Sequence, residues 1–428
     1  MTLPEALAFA AGHQPSLLAA RARLEAARRE SDIPAGYWYP RAGATLQVLA
    51  GTANNSTASY FSTSAMDLPR IGGTKATPPT NWGPQASTLA GIGVRQEVFD
   101  FGRISALSAV FDFAAEAEAA RADQSRLDVA LLVEEAYLGV HVAKAVLRTA
   151  EAAEQRVRLH RDLAEAGVKS GLRSPIELTR AEADLARFQV GRVRAAGGVD
   201  VARAVFAAAV GVPDRSLDVA GQPPEPKSPP GDAERAHGAE RDPNIREAHA
   251  LRLQQEGITR FARAELLPDI SFSAGLTGRA GGATPTSGAV PWGGGFVPDV
   301  PNWDIGVLLT WPIFDAASLA RASASQERQR QRAAEEDLMR QRLSTQVEVG
   351  TESLRVATEA VPALQRAAQA ASANYQQADA RFKAGLGSSV ELADAESLRL
   401  QAEVELAVGS FEQARARARL ARVLSEGL

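Results

Sequence analysis

A chain of 428 residues with a formal net charge of −4 and no cysteine excludes several classes at once. Without cysteine there is no disulfide, thiolate metal site or Cys nucleophile, and the mild negative charge leaves no electrostatic footprint for nucleic acid. At 45% hydrophobic and 23% charged the chain has the balance of a folded protein, yet no apolar run approaches the roughly 18 residues that a membrane helix needs.

Met1-Thr2-Leu3-Pro4 leads straight into a short helix over residues 4–12, with no signal peptide ahead of it. That start fits a cytoplasmic protein, or a mature chain with an added first residue. The lack of cysteine fits an oxidising envelope compartment. Pro15 opens a second helix, to about Ala35, and Pro40 ends the segment. From Arg41 to Thr52 the sequence alternates, with Ala42, Ala44, Leu46, Val48 and Ala50 on one face and Gly43, Thr45, Gln47 and Gly51 on the other. Residues 53–87 are rich in Ser, Thr, Asn, Gly and Pro and read as a long loop, and Thr88–Phe99 reads as a second strand. An Ala-, Glu- and Arg-rich helix is predicted from Ile104 to Ala166, roughly 95 Å long, and a return helix from Pro175 to about Val210.

Between these two helices lies a stretch that occurs twice. Lys169-Ser170-Gly171-Leu172-Arg173-Ser174-Pro175-Ile176-Glu177-Leu178 matches Lys383-Ala384-Gly385-Leu386-Gly387-Ser388-Ser389-Val390-Glu391-Leu392, at an offset of 383 − 169 = 214. Each copy reads as helix, tight turn, helix. The Lys meets the negative end of the incoming helix. Gly171 and Gly385 take the left-handed conformation that ends it, and Leu172 and Leu386 fold back on the last turn. Ser174 and Ser388 cap the next helix, and Glu177 and Glu391 complete capping boxes.

Other landmarks repeat in the same order. Asp242-Pro243 and Pro268 match Gln14-Pro15 and Pro40, and Phe314-Asp315 matches Phe99-Asp100. The expected organisation is a first repeat over 1–220 (β-hairpin 41–99, helical tip 167–174), a proline-rich linker over 221–240, and a second repeat over 241–428 (β-hairpin 269–313, tip 383–388). In the second repeat, Ile270, Phe272, Ala274 and Leu276 alternate with polar residues. Trp303, Ile305, Val307, Leu309 and Trp311 do the same. A second long helix follows, from about Ala316 to Ala384, with Pro362 expected to kink it.

Four two-faced strands of this length fit a transmembrane barrel, with Trp303 and Trp311 as an aromatic girdle. Alternation is just as common in a soluble sandwich, and the strands alone favour that reading. The placement of the strands, as two separated hairpins on very long helices, favours the barrel. Four strands cannot close, and an open edge cannot sit in lipid; three copies would give twelve.

The opening Leu3-Pro4-Glu5-Ala6-Leu7, the exits Val98-Phe99-Asp100-Phe101-Gly102 and Pro312-Ile313-Phe314-Asp315, and the two Gly-Leu tips, in that order over nearly the whole chain, resemble the outer-membrane factor family of TolC-like efflux proteins. The resemblance implies a mostly α fold with a membrane β-barrel part: a homotrimer whose strands form one twelve-stranded barrel and whose long hairpins form an α-barrel tunnel in the periplasm, with the proline-rich linker at the equator. It also implies outer-membrane lipid around the barrel. The tips (Lys169, Gly171, Leu172, Arg173, Ser174, Lys383, Gly385, Leu386, Gly387, Ser388) would meet a periplasmic adaptor serving an inner-membrane pump. Glu391 and Asp394 occupy the places where relatives narrow the periplasmic gate. Glu177 matches an acidic partner of a lock made by an Arg after the second turn and a Tyr before it; here those places hold Gly387 and Phe382, which puts that lock in doubt. Many relatives begin with a lipid-bearing cysteine, and this chain shows none.

Chemistry of other kinds finds little support. His13, His141, His160, His237 and His249 lack metal-ligand spacing, the glycine-rich stretches lack the context of a phosphate cradle, and no nucleophile–base arrangement is present. The expectation is a passive exit duct for efflux or type I secretion, not an enzyme, with no cofactor and no metal. The competing reading is a soluble coiled-coil scaffold or adaptor of the envelope.

Overall fold

The computed structural model describes residues 1–52, 61–63, 66–68, 84–212, 217–221, 241–281 and 300–426. In chain order the described elements are α1 (Leu3–His13), α2 (Pro15–Glu30), α3 (Ile33–Gly36), β1 (Arg41–Thr52), β2 (Phe61–Thr63), β3 (Met66–Leu68), β4 (Pro84–Phe99), α4 (Arg103–Lys169), α5 (Pro175–Val210), α6 (Pro243–Ala264), β5 (Asp269–Gly281), β6 (Val300–Thr310), α7 (Ala316–Lys383) and α8 (Ser389–Val423). The expected helix from Pro15 to Ala35 divides in two, because Ser31 and Asp32 form a turn ahead of Pro34. The long loop holds the short β2–β3 pair, and β4 starts four residues earlier than its alternation suggests. α7 stays helical through Pro362. Most of the expected linker, residues 222–240, lies outside the described residues.

Contacts gather into two compact units, each drawing matching segments from both halves of the sequence: residues 1–25, 116–249 and 335–428 in one, 26–115 and 250–334 in the other.

The second unit holds the sheet. Its order is β1-β4-β5-β6, antiparallel throughout, so the two hairpins of the two repeats join through β4 and β5. The register aligns Ala44, Ile92, Leu276 and Trp303 in one cross-strand row, and Gly43, Gly93 and Gly275 in the next. Both strand exits work as helix starts. At the first, Asp100 is buried and its two carboxylate oxygens accept the N–H groups of Gly102 and Ile104, at 3.0 and 2.5 Å. At the second, Asp315 accepts the Ala317 N–H at 2.9 Å and the Ser318 hydroxyl at 2.6 Å. These carboxylates meet the amides that a helix N-terminus leaves without intrahelical partners. Below the sheet, Gly257 of α6 lets the α4 backbone approach, and Gln255, Thr259 and Ser325 bond to one another between α6 and α7.

The first unit is all helix. Ala6, Ala10, Val133, Tyr137, Val140, Phe206 and Val210 bury a shared core of α1, α4 and α5. Tyr137 donates its hydroxyl to the Ala220 carbonyl at 2.7 Å, and Lys144 and Arg203 hold Asp218 at 2.6 and 2.8 Å, which keeps that carboxyl far below its usual range. α8 is tied to α4 by Arg415 and Arg419, which share Glu135 at 3.0 and 2.7 Å.

Replacing Asp100 with Ala should leave the buried Ile104 N–H and the part-buried Gly102 N–H without their acceptor, at a cost of about 1–3 kcal/mol. Denaturant unfolding of the purified protein checks this, and Asp100→Asn, which keeps one acceptor, should lose less.

Candidate functional site

In a water-soluble sheet the apolar face is the covered one. Here it is bare. Leu46, Val48, Trp303, Ile305 and Val307 are about 70–75% exposed, whereas Ser271 and Thr277 on the polar face are 0% and 2% exposed. Trp311 follows the last strand, exposed, with its indole N–H donated to the Leu266 carbonyl at 3.3 Å. Eight residues separate the two tryptophans on one face, roughly 26 Å along the strand. With the tilt of a barrel strand that is roughly 20 Å of height, against an apolar band of about 25 Å. Tyr37, Trp38, Tyr39, Phe101 and Phe314 are also exposed, beside the ends of β1, β4 and β6. No described helix is long and apolar enough to cross a membrane.

At the other site, the two helical tips have the same backbone. Gly171 and Gly385 sit at φ +72° and +74°. Their N–H groups reach Val168 and Phe382, at 3.0 and 3.1 Å. Those of Leu172 and Leu386 reach Gly167 and Arg381, both at 2.9 Å. This double bond pattern is the left-handed helix end read from the sequence. The side chains depart from the expectation. Leu172 and Leu386 do not fold back; they are 84% and 77% exposed, and Ile176 and Val390, again repeat equivalents, are exposed beside them. Ser174 makes no side-chain cap, since the turn supplies its own backbone bond from Glu177 N–H to the Ser174 carbonyl at 3.0 Å. Ser388 does cap, accepting the Glu391 N–H at 3.2 Å. Neither Glu closes a capping box, because an arginine claims each carboxylate: Arg173 holds Glu177 at 2.7 Å and Arg381 holds Glu391 at 3.2 Å. Lys169 and Lys383 pair with acids one turn back, Glu165 at 2.6 Å and Asp379 at 2.7 Å. Asp394 is exposed and makes no ion pair among the described residues.

Gly387 and Phe382 do not leave the two hairpins untied, because the arginine comes from the other tip. Arg173 lies 3.8 Å over the Phe382 ring and donates to the Phe382 carbonyl at 2.8 Å while keeping Glu177. Phe382 is buried among Tyr375, Ala378, Leu392 and Ala395.

The pattern that defines the outer membrane efflux protein family matches residues 7–212 and 238–426. The chain belongs to the outer membrane efflux protein family. No curated protein matches it by sequence. Solved structures of outer-membrane proteins share its fold. The outer-membrane protein VceC of Vibrio cholerae has a TM-score of 0.78 at 19% identity, over 99% of this chain and 96% of that one. The CmeC channel of Campylobacter jejuni scores 0.79 at 14% identity, over 100% and 86%. The open-state MtrE channel of Neisseria gonorrhoeae scores 0.76 at 20%, over 100% and 89%. Family membership puts this efflux protein in the outer membrane, reaching into the periplasm, and sets aside the soluble-scaffold reading, which the bare sheet face already opposed. Its relatives are channels, not enzymes.

Sequence reasoning missed the second set of ties between the hairpins of this efflux protein. Arg156 of α4 forks onto Glu396 of α8 with bonds of 3.0, 3.0 and 2.8 Å, and Glu396 is wholly buried. The pair is 240 residues apart in sequence, so no local spacing marks it. Burial pushes the Glu396 carboxyl up, against the pull of the Arg156 fork. Beside it the Tyr375 hydroxyl meets His160 Nε2 at 3.0 Å, and burial pushes that phenol up to about 12. Burial also lowers the His160 imidazole; Asp379 opposes this, while Lys383 and Arg156 add to it. Among the described residues no three acids, histidines or cysteines gather as metal ligands.

Removing one partner of a buried pair strands the other charge. Arg156→Leu should therefore cost about 3–5 kcal/mol, and Arg156→Leu with Glu396→Leu should recover most of it in the same unfolding assay. A histidine whose pKa is lowered on folding stabilises fully above its unfolded value, about 6.5, and loses that contribution as pH falls through the folded value. The unfolding midpoint should therefore drop between pH 7 and 5, and His160→Gln should flatten the drop.

Proposed function

We propose that this efflux protein is the passive exit duct of a tripartite efflux or type I secretion system, acting as a homotrimer. The observation that carries the reading is a four-stranded sheet with a bare apolar face and unpaired outer edges at β1 and β6 among the described residues. Strand edges with free amides cannot face lipid. Pairing β6 of one copy with β1 of the next satisfies them, and three copies close a twelve-stranded barrel within the range of outer-membrane barrels. Trp303 and Trp311 then sit in its aromatic girdle, in contact with outer-membrane lipid. The long hairpins continue as an α-barrel tunnel.

The tips are the docking surface for a periplasmic adaptor, which connects to an inner-membrane pump. Support comes from four apolar side chains, Leu172, Ile176, Leu386 and Val390, held bare at repeat-equivalent places on the two tips. Glu391 and Asp394, three residues apart on one exposed helix face, and Glu177 at the equivalent turn frame the entrance. The duct supplies no chemistry; it conducts.

The variant with Val at both Gly171 and Gly385 forces a β-branched residue into left-handed backbone. Mass measurement in detergent should still give three subunits for parent and variant, while efflux in cells that depend on the protein should fall to the level of a null strain. A stable monomer that inserts into bilayers would rule out the trimer, and unchanged efflux would remove the tips from the mechanism.

A further inference from the structure

Two helices of the first unit each keep a bare face. α4 and α8, joined by Arg156 and Glu396, form the middle of the unit. α5 packs on α4 through Phe188, against Ala153 and Val157, and through Arg192, which holds Glu154 at 2.7 Å. α7 packs on α8, where Gly409 makes room for Leu364 and a Cβ at Gly350 would lie 3.2 Å from the Leu420 Cδ1.

The bare face of α5 carries a stripe made of Val190, Gly197, Val201, Ala204 and Ala208. All are exposed except Ala204, which is partly so. Read upward from the tip, the steps are 7, 4, 3 and 4, which keep the five in one line. The bare face of α7 carries Ala367, Ala360, Val356, Ser353 and Val349, all exposed. Read upward from its own tip, the steps are again 7, 4, 3 and 4. Ser353 donates its hydroxyl to the Val349 carbonyl of its own helix at 2.7 Å, so its donor is already met.

Water gives no reason for such stripes. Valine and glycine are poorer helix formers than alanine. Val190, Val201, Val349 and Val356 are all at least half exposed, and a Cβ at Gly197 would meet nothing within 4 Å among the described residues. A glycine that no contact inside the chain requires, in line with bare valines, marks a close approach from outside it.

The stripes also lie at matching heights. Arg173 and Phe382 join the two tips of one copy, and rotation about a tunnel axis holds every copy's tips at one level. From the tip ends Pro175 and Lys383, Val201 is 201 − 175 = 26 residues up α5 and Val356 is 383 − 356 = 27 up α7. Gly197 and Ala360 are 22 and 23 up, and Val190 and Ala367 are 15 and 16 up. At 1.5 Å per residue each pair matches to within about 2 Å. Larger side chains then meet smaller ones, Val190 with Ala367 and Val349 with Ala208, and Gly197 faces Ala360.

We propose that the two stripes form one seam between copies: α5 of one copy packs antiparallel on α7 of the next, with Val201 opposite Val356. The seam rests on the reading of the protein as a trimer and supplies its helical joint. Continuity with the strand edges supports it. β6 leads into α7, and α2, which leads through α3 to β1, begins where Gln14 donates to the Ala208 and Ala209 carbonyls of α5. The neighbours that share the β6–β1 joint therefore share this one.

The chain has no cysteine, so introduced thiols report alone. In the full-length protein in detergent, Val201→Cys with Val356→Cys should give covalent dimers and trimers on oxidation, read on a non-reducing gel. Neither substitution by itself should. Val201→Cys with Ala367→Cys is out of register by 367 − 356 = 11 residues, roughly 16 Å, which is beyond disulfide reach, and should run as a monomer. Gly197→Leu, added to the matched pair, should cut the linked fraction severalfold while the circular dichroism stays that of the parent, because only a neighbouring copy is in its way. If mass measurement gives trimers but the matched pair links no better than the displaced one, the seam is wrong and the trimer stands. An unchanged linked fraction with Gly197→Leu would overturn the close approach at Gly197 and the register with it. If mass measurement gives monomers, seam and trimer fall together.

Discussion

A backbone amide that leaves water must find another partner, and in this protein that rule acts hardest on the sheet. The strands leave their apolar side chains bare, where a soluble protein would place polar ones, and the outer edges of β1 and β6 stay unpaired among the described residues. Inward-facing glycines at 43, 93 and 275 and buried Ser271 and Thr277 are the counterpart of that inversion: the face that would normally be wet is the shielded one. The joint between β4 and β5 binds two repeats into one sheet, so neither repeat meets the requirement alone. Asp100 and Asp315 apply the same rule where strand becomes helix, since each hands a carboxylate to amides that the helix cannot satisfy.

The helices of the first unit are held by different contacts. Their interfaces are narrow and rich in alanine, so much of the specificity between hairpins falls to side chains that reach across. Arg156 with Glu396, Tyr375 with His160, and Arg173 with Phe382 each join α4 or its tip to the second hairpin. These three ties mix a buried fork, a neutral hydrogen bond and a cation over a ring, and each answers differently to salt, pH and truncation.

Much of the architecture was legible because it is periodic. Alternation marks β1, β4, β5 and β6, and the offset repeat marks both tips down to the left-handed glycines. The family resemblance, carried by landmarks in order, agrees with the family match over 7–212 and 238–426. What failed was side-chain bookkeeping at the turns. Ser174 and the two glutamates fit a capping box by spacing, but spacing cannot register that Arg173 and Arg381 compete for those carboxylates at close range. Leu172 and Leu386 fit a fold-back contact by spacing, yet both stand out in water. The missing lock was a similar case: the arginine sought after the second turn stands after the first. Arg156 and Glu396 left no trace in the sequence, because partners 240 residues apart share no local signal.

The exchange of arginine and glycine between the tips also constrains how the two halves of this chain could have diverged. Positions 167 and 173 hold Gly and Arg, whereas 381 and 387 hold Arg and Gly. A tip that drifted from one arrangement to the other by single substitutions would pass through either two arginines or two glycines. In the doubly basic intermediate a side chain at 167 requires Arg173 to shift, and one at 387 presses on Arg381 and the Phe382 backbone. The doubly glycine intermediate folds without collision but strands a glutamate without its cation. The two positions are thus coupled, since the residue at one decides both the room and the charge left for the other.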